Sequence, residues 1–179
     1  DILFGAYNPS GKLAMSFPVN VGQIPIYYST KPTGRPYVPY GKYTAGYIDC
    51  LNEPLYPFGY GLSYGKVEYS NLKVDTARPG GEILVTVTLS NTGQFRVTET
   101  AQLYIGDPVA SISRPVKELK AFEKVVLSPG ETKEVRFVIT EDDLKFYNEQ
   151  LESIWEPGSF IFEVGPDSKN TISLKKQIG

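Results

Sequence analysis

Two groups of carboxylates are the side chains whose spacing could support chemistry. Glu141, Asp142 and Asp143 are consecutive, whereas Asp49 and Glu53 flank the start of a proline-rich stretch. The first group could bind a cation or act as acid and base, but acids at the start of a helical turn are also favoured by the helix dipole. The second pair could hold Ca²⁺, although two carboxylates outside a calcium-binding motif are not enough to define a site. We therefore expect no catalytic residue and no metal site at either place.

The composition excludes several kinds of active site. Histidine is absent and Cys50 is the only cysteine, which rules out Ser-His-Asp and Cys-His nucleophiles, histidine-based zinc sites and an internal disulfide. We expect no cofactor. The net charge is −2 and no basic run is present, which argues against nucleic acid as a partner. Every apolar run is shorter than the roughly 18 residues of a membrane helix, so we expect no membrane partner.

One aromatic group could bind a carbohydrate. Arg35, Tyr37, Tyr40 and Tyr43 lie close together, and sugars stack on aromatic rings while arginine hydrogen-bonds their hydroxyls. Arg35, Tyr37 and Tyr40 are therefore candidates for a remote subsite. The alternative is packing between domains, because these rings must also anchor a segment that has no core of its own. The long loop at 109–117 has the same two alternatives, a place near an active-site rim or docking against another domain.

The stretch Asn52–Tyr64 (NEPLYPFGYGLSY), here called the strap, divides the chain. Its two prolines prevent a helix or a central strand, and its glycines allow a close approach of the backbone. Ten of the thirteen tyrosines lie between Tyr27 and Tyr69, which is too much apolar surface for a free linker. Because residues 1–65 alone cannot supply a surface for these rings, we predict that a body upstream of this chain supplies it.

Local patterns before the strap predict four features. Gly5 would cap the end of a helix in the left-handed conformation. Asn8–Gly11 has turn residues, Lys12–Phe17 alternates as a short strand, and Gln23–Tyr28 resembles an edge strand. The chain opens at Asp1 and its only methionine is Met15, which favours a piece excised from a longer protein.

Residues 66–179 alternate in short apolar runs separated by turn signals, including one at Arg78–Gly81. Seven to nine strands at a spacing of roughly 8–12 residues are typical of an antiparallel sandwich of immunoglobulin or fibronectin type III architecture. We expect a bulge near Ser70, a capping pair at Thr140 and Asp143, and Trp155 as a core anchor. Most members of one set of sandwich aromatics are at core-facing positions: Phe122, Phe137, Phe146, Trp155, Phe160 and Phe162. The fold class is thus mainly β, a β-sandwich after an extended Pro/Tyr-rich segment.

Several motifs resemble the C-terminal part of family 3 glycoside hydrolases, and most of all bacterial periplasmic β-glucosidases. The longest of them is PLYPFGYGLSY at 54–64. The others are GKL at 11–13, SFP at 16–18, GQIP at 22–25, YY at 27–28, TGRP at 33–36, NTG at 91–93, QLY at 102–104, RPVKEL at 114–119, FEK at 122–124 and PGET at 129–132.

This resemblance implies a parent of three domains, in which residues 1–64 are the tail of an α/β sandwich domain plus the strap. Residues 65–179 would be a fibronectin type III-like domain. Such parents cleave terminal β-glucosyl or β-xylosyl residues with retention, using two carboxylates that lie upstream. The partners implied are the upstream catalytic domains, with oligosaccharide bound only through the parent, possible homo-oligomers, and a periplasmic or secreted location.

Two alternatives from other functional classes stay open. A stand-alone carbohydrate-binding module requires an exposed strip of rings on the sandwich. A protein-interaction module requires a large apolar patch over residues 20–64.

Overall fold

The chain forms two stacked sheets that follow an irregular N-terminal segment. The computed structural model describes residues 1–38, 41–76 and 81–179; Tyr40 and most of the predicted turn at Arg78–Gly81 lie outside these residues. The elements are a 3₁₀ turn at Val21–Gln23, β1 Val67–Asp75, β2 Ile83–Asn91, β3 Val97–Gly106, β4 Glu118–Leu127, β5 Thr132–Ile139, α1 Glu141–Leu144, β6 Phe146–Tyr147, β7 Ser153–Ile154, β8 Gly158–Gly165 and β9 Ile172–Ile178.

All strand pairs are antiparallel. One sheet has the order β1-β2-β5, the other has the order β4-β3-β8-β9, and β6 and β7 form a separate hairpin. This arrangement confirms the predicted mainly-β sandwich of fibronectin type III-like architecture. None of the helices in the described ranges is long and apolar enough to cross a bilayer.

Alternation along the strands places the core between the two sheets. In β2 every second residue from Ile83 to Leu89 is buried and faces the interior. Phe137, Phe160 and Phe162 meet these residues from β5 and β8, and burying each such side chain contributes about 1.5–3 kcal/mol. Trp155 packs against this core while remaining partly exposed.

Three local predictions in the sandwich can be compared with the structure. The register of β1 against β2 shifts between Ser70 and Lys73, which confirms the bulge, and Asn71 has a φ of 54°. Thr140 donates from its backbone N–H and from Oγ1 to Asp143 Oδ2, at 2.8 and 2.9 Å, which confirms the capping pair. Among the aromatics expected mostly at core-facing positions, Phe122 is an exception, because its side chain is 62% exposed on the outer face of β4.

The N-terminal segment departs from its local sequence signals. Gly5 does have a φ of 76°, with its N–H bonded to Ile2 O as at a helix end. The turn expected at Asn8–Gly11 is wrong, because the Asn8 side chain holds an extended chain: its Oδ1 accepts from Ser63 Oγ and Tyr64 N–H, and its Nδ2 donates to Arg96 O.

The prediction of two strands in this segment is wrong, because neither stretch forms a regular strand. Within 12–17 only Phe17 makes a bridge, to Tyr56 of the strap, so this stretch runs beside the strap without forming a strand. The 23–28 stretch begins at the end of a 3₁₀ turn and is not a strand. The buried side chain of Gln23 competes here with strand pairing, as described below.

Candidate interdomain interface

One side of the strap packs on the sandwich of this same chain. The ring of Phe58 stacks on Tyr28 with centroids 4.5 Å apart, and Tyr28 meets Tyr104 of β3 edge-on at 5.5 Å. Ser168 N–H donates to Phe58 O at 2.9 Å, which ties the strap to the loop after β8. The expectation that a body outside the chain supplies the surface for these rings is therefore wrong for this side of the strap.

A buried glutamine joins the strap to β3. Gln102 is 3% exposed, and its Nε2 donates to Gly59 O at 3.2 Å and to Pro166 O at 2.5 Å. Its Oε1 accepts from the Tyr104 hydroxyl at 2.6 Å, and burial raises the pKa of Tyr104, so this hydroxyl stays a donor. Gly59 has a φ of +80°, and a Cβ there would lie 2.1 Å from Gln102 Oε1. Sequence analysis included Gln102 in one of the motifs that carry the resemblance but missed this role, because a single glutamine in a strand carries no pattern.

An ion pair fixes the segment before the strap to the sandwich. Lys12 Nζ lies 3.0 Å from Glu99 Oε1, and both side chains are largely buried. Tyr69 of β1 donates its hydroxyl to the same Glu99 oxygen at 3.2 Å. Burial, reinforced by the charge of Glu99, raises the pKa of Tyr69, which keeps the hydroxyl protonated as a donor. The segment before the strap and β1 therefore both contact one carboxylate of β3.

A second buried glutamine organises the irregular stretch before the strap. Gln23 is fully buried; its Oε1 accepts from Val19 N–H at 2.6 Å, and its Nε2 donates to Leu51 O at 2.7 Å and Glu53 O at 3.1 Å. The Tyr47 hydroxyl donates to Gln23 O at 3.0 Å. Side chain to backbone hydrogen bonds thus replace a sheet ladder here, and no sequence pattern indicated this role for Gln23.

The other side of the strap is exposed and apolar. Nineteen of the twenty-six large hydrophobic side chains exposed among the described residues belong to residues 1–64. A groove of about 720 Å³ runs between the first residues of the chain and the strap, and the rings of Tyr56 and Tyr60 lie 5.0 Å apart along it. Its apolar lining includes Ile2, Tyr7, Phe17, Tyr56, Tyr60 and Leu62.

The predicted subsite residues are only partly brought together. Tyr37 is half-buried and lines a cavity of about 510 Å³, where its ring lies against Gly46. Arg35 is exposed, its backbone oxygen accepts from Ala45 N–H at 3.2 Å, and it is not part of the cavity lining. Tyr40 lies outside the described residues.

The two carboxylate groups have separate partners. Asp142 pairs with Lys145 at 2.6 Å and Asp143 caps the helical turn, which agrees with the interpretation of this cluster as a solvated helix start. Glu53 forms an ion pair with Lys169, whereas Asp49 lines the Tyr37 cavity. The structure therefore gives Asp49 and Glu53 different environments and does not join them in one site.

A buried arginine holds the long loop at 109–117. Arg114 lies 2.8 Å from Glu118 and 3.5 Å from Asp107, and its guanidinium stacks over Phe146 at 4.6 Å. Burial raises the pKa of Asp107 although Arg114 opposes the shift. Val116 N–H at the end of this loop donates to Thr30 O at 2.8 Å, so the loop contacts the N-terminal segment.

Both parts of the chain match families of known proteins. The family described as glycosyl hydrolase family 3 C-terminal domain matches residues 1–64, and the fibronectin type III-like domain family matches residues 99–168. A periplasmic β-glucosidase of Salmonella typhimurium is 51% identical over 94% of this chain and 22% of that protein. A putative β-xylosidase of Formosa agariphila is 43% identical over 98% of this chain and 23% of that protein.

A solved structure gives the same result. The β-glucosidase of Listeria innocua in complex with glucose matches with a TM-score of 0.93 at 47% identity, over 100% of this chain and 25% of that one. The chain spans about a quarter of the length of these relatives. It belongs to glycoside hydrolase family 3 and is the C-terminal portion of such a protein, ending in its fibronectin type III-like domain.

Proposed function

We propose that this chain is the structural, non-catalytic C-terminal region of a retaining β-glucosidase that releases terminal β-D-glucosyl residues. Residues 1–64 complete the upstream α/β domain, and residues 65–179 form the sandwich that holds the strap in place. The partners are the upstream catalytic domains, and oligosaccharide substrate binds through them. The similarity to β-glucosidases along nearly the whole chain supports this proposal.

The unequal distribution of exposed apolar surface carries the proposal. The sandwich encloses its core, whereas residues 1–64 expose most of the large hydrophobic side chains and contain the 720 Å³ groove. A soluble domain does not leave a contiguous apolar surface of this kind without a partner. The groove runs along the side of the strap opposite Phe58, and it is therefore the surface on which the upstream domains rest.

Two further parts of the proposal concern carbohydrate and location. Arg35, Tyr37 and Tyr40 are the residues we propose for a remote subsite near the parent's substrate path, and the half-buried ring of Tyr37 in a cavity supports this part of the proposal. The parent is exported to the periplasm or secreted, which is supported by the periplasmic relative from Salmonella typhimurium.

A chimera tests the structural role. The C-terminal quarter of the Listeria innocua β-glucosidase is replaced by this chain, and hydrolysis of an aryl β-glucoside is measured. We expect the chimera to be active and the 179-residue chain alone to be inactive. Because a carboxylate cannot be buried in an apolar contact without a cost of about 2 kcal/mol or more, Leu62→Asp should lower the activity of the chimera at least about tenfold.

Val138→Asp is the matched control, since Val138 is 52% exposed on β5 of the sandwich and should leave the activity unchanged. Equal activity of the Leu62→Asp and Val138→Asp chimeras would show that the groove is not the docking surface. Turnover by the purified chain alone would contradict the non-catalytic role.

A further inference from the structure

A cleft of about 550 Å³ lies where the N-terminal segment meets the sandwich. One wall contains Tyr27, Lys31 and Tyr47, and the other contains Lys117 and Lys169 of the sandwich. It is separate from the docking groove, which lies between the first residues and the strap. All of the residues that line the cleft belong to this chain, so the cleft can be studied in the 179-residue chain itself.

Two aromatic rings in this cleft are accessible and one is held rigidly. Tyr27 is 54% exposed and Tyr47 is 41% exposed. The Tyr47 hydroxyl donates to the backbone oxygen of Gln23, whose side chain is fully buried, so the ring has a fixed position. A fixed ring loses little conformational entropy when a ligand packs on it. The apolar C–H face of a pyranose is a flat surface that packs on such rings.

The charges in the cleft favour a neutral ligand. Lys169 is paired with Glu53 and Lys117 is paired with Glu163, so two of the three lining ammonium groups are already neutralised. Lys31 is exposed at the rim. The cleft therefore offers hydrogen-bonding groups for hydroxyls without the cluster of free cations that a phosphate or a uronate requires. Its volume is in the range of small-molecule pockets, which are about 300–1,000 Å³.

We infer that this cleft is an auxiliary binding site for a neutral oligosaccharide with equatorial hydroxyls. Tyr47 also lines the Tyr37 cavity, so the two cavities share a wall and can hold consecutive sugars of one chain. Because both the N-terminal segment and the sandwich contact the ligand, occupancy holds the two parts together. A longer oligosaccharide binds more tightly than a shorter one because it reaches the second cavity.

Calorimetric titration of the 179-residue chain with cellotriose tests the site. We expect saturable binding, weakened about fivefold or more by Tyr27→Ala and by Tyr47→Ala, because each removes a stacking ring. Tyr47→Phe keeps the ring and should retain most of the affinity. Tyr43→Ala is the matched control, since Tyr43 is 83% exposed and lines neither cavity. Circular dichroism of each variant verifies that it is folded.

Three results would overturn the inference: no binding at millimolar cellotriose, equal binding by the Tyr27→Ala and Tyr43→Ala variants, or tighter binding of a trigalacturonate than of cellotriose. These results are distinct from a failure of the proposed function. An active chimera with no cellotriose bound by the chain would refute the cleft alone, whereas an inactive chimera with normal binding would refute only the structural role.

Discussion

The link between the strap and the sandwich can be tested at Gln102. Replacing it with leucine keeps a similar volume and removes three hydrogen bonds, to Gly59 O, Pro166 O and the Tyr104 hydroxyl. A buried polar group left without a partner costs about 1–3 kcal/mol. Gly59 O lies in the strap and Pro166 O lies in a loop, and both can shift toward water. We therefore take about 1 kcal/mol, the lower end of this range, for each of the three groups that lose a partner. Gln102→Leu should therefore lower the free energy of unfolding by about 3 kcal/mol.

Urea denaturation monitored by tryptophan fluorescence measures this loss. Gln177→Leu is the matched control, because Gln177 is exposed on β9, its side chain accepts from Ser159 Oγ, and the change should alter stability by less than about 0.5 kcal/mol. Hydrogen exchange gives a local measurement, since the Gly59 amide donates to Leu13 O at 2.8 Å and should lose protection before the core strands do.

A double substitution separates the hydrogen bonds from packing. Tyr104→Phe removes the hydroxyl that Gln102→Leu leaves unpaired, so the double variant should lose less stability than the sum of the single losses. A loss below about 1 kcal/mol for Gln102→Leu, or strictly additive losses in the double variant, would refute the role of Gln102 as the link between strap and sandwich.

Two further predictions concern backbone space and pH. Gly59→Ala should destabilise the chain by about 3 kcal/mol, against about 1 kcal/mol for Gly130→Ala: both have positive φ, but only the Gly59 Cβ overlaps another atom. Similar losses in urea for the two variants would contradict this. Hydrogen bonds from Ser111 lower the pKa of Glu156. The hydrogen bond between Ser111 and Glu156 is therefore present above pH 4.5, the ordinary pKa of a glutamate, and is lost as the pH falls through the lowered pKa. The NMR shift of the Ser111 amide should titrate in this acid range, and Glu156→Gln should abolish the titration; a titration that persists in the variant would assign it to another group.

The sandwich could be predicted from sequence because the patterns that specify its strands and turns are local. A half-buried strand requires alternation over about eight residues, and a turn requires a few Gly, Pro, Asn or Asp residues, so β2 could be recognised without its partners. The bulge near Ser70 was recognisable for the same reason, since an extra residue changes the phase of the apolar positions. Phe122 was misplaced because alternation gives the period of a strand and not the face that is buried. It lies opposite Gln102 on the face of the sheet that meets the strap, where its ring stays 62% exposed.

The irregular segment could not be predicted because long-range hydrogen bonds determine it. Gln23 contacts the backbone near residue 51, and Asn8 contacts residues 63, 64 and 96. Such contacts leave no trace in a window of neighbouring residues. The aromatic content of the strap correctly indicated a segment that needs a surface, but content alone could not distinguish the chain's own sandwich from an upstream body.

The strap has two faces, and this determines what the sandwich does for the rest of the protein. Phe58 and Gly59 face Tyr28 and Gln102, whereas Tyr56 and Leu62 line the open groove. Under the proposed function the upstream domains rest on that groove, so the strap is clamped between two bodies and cannot shift toward one without leaving the other. Because close-packed interiors transmit strain, a change at Gln102 that moves Gly59 also moves the groove, in addition to lowering the stability of the sandwich. The sandwich therefore positions the upstream domains through the strap.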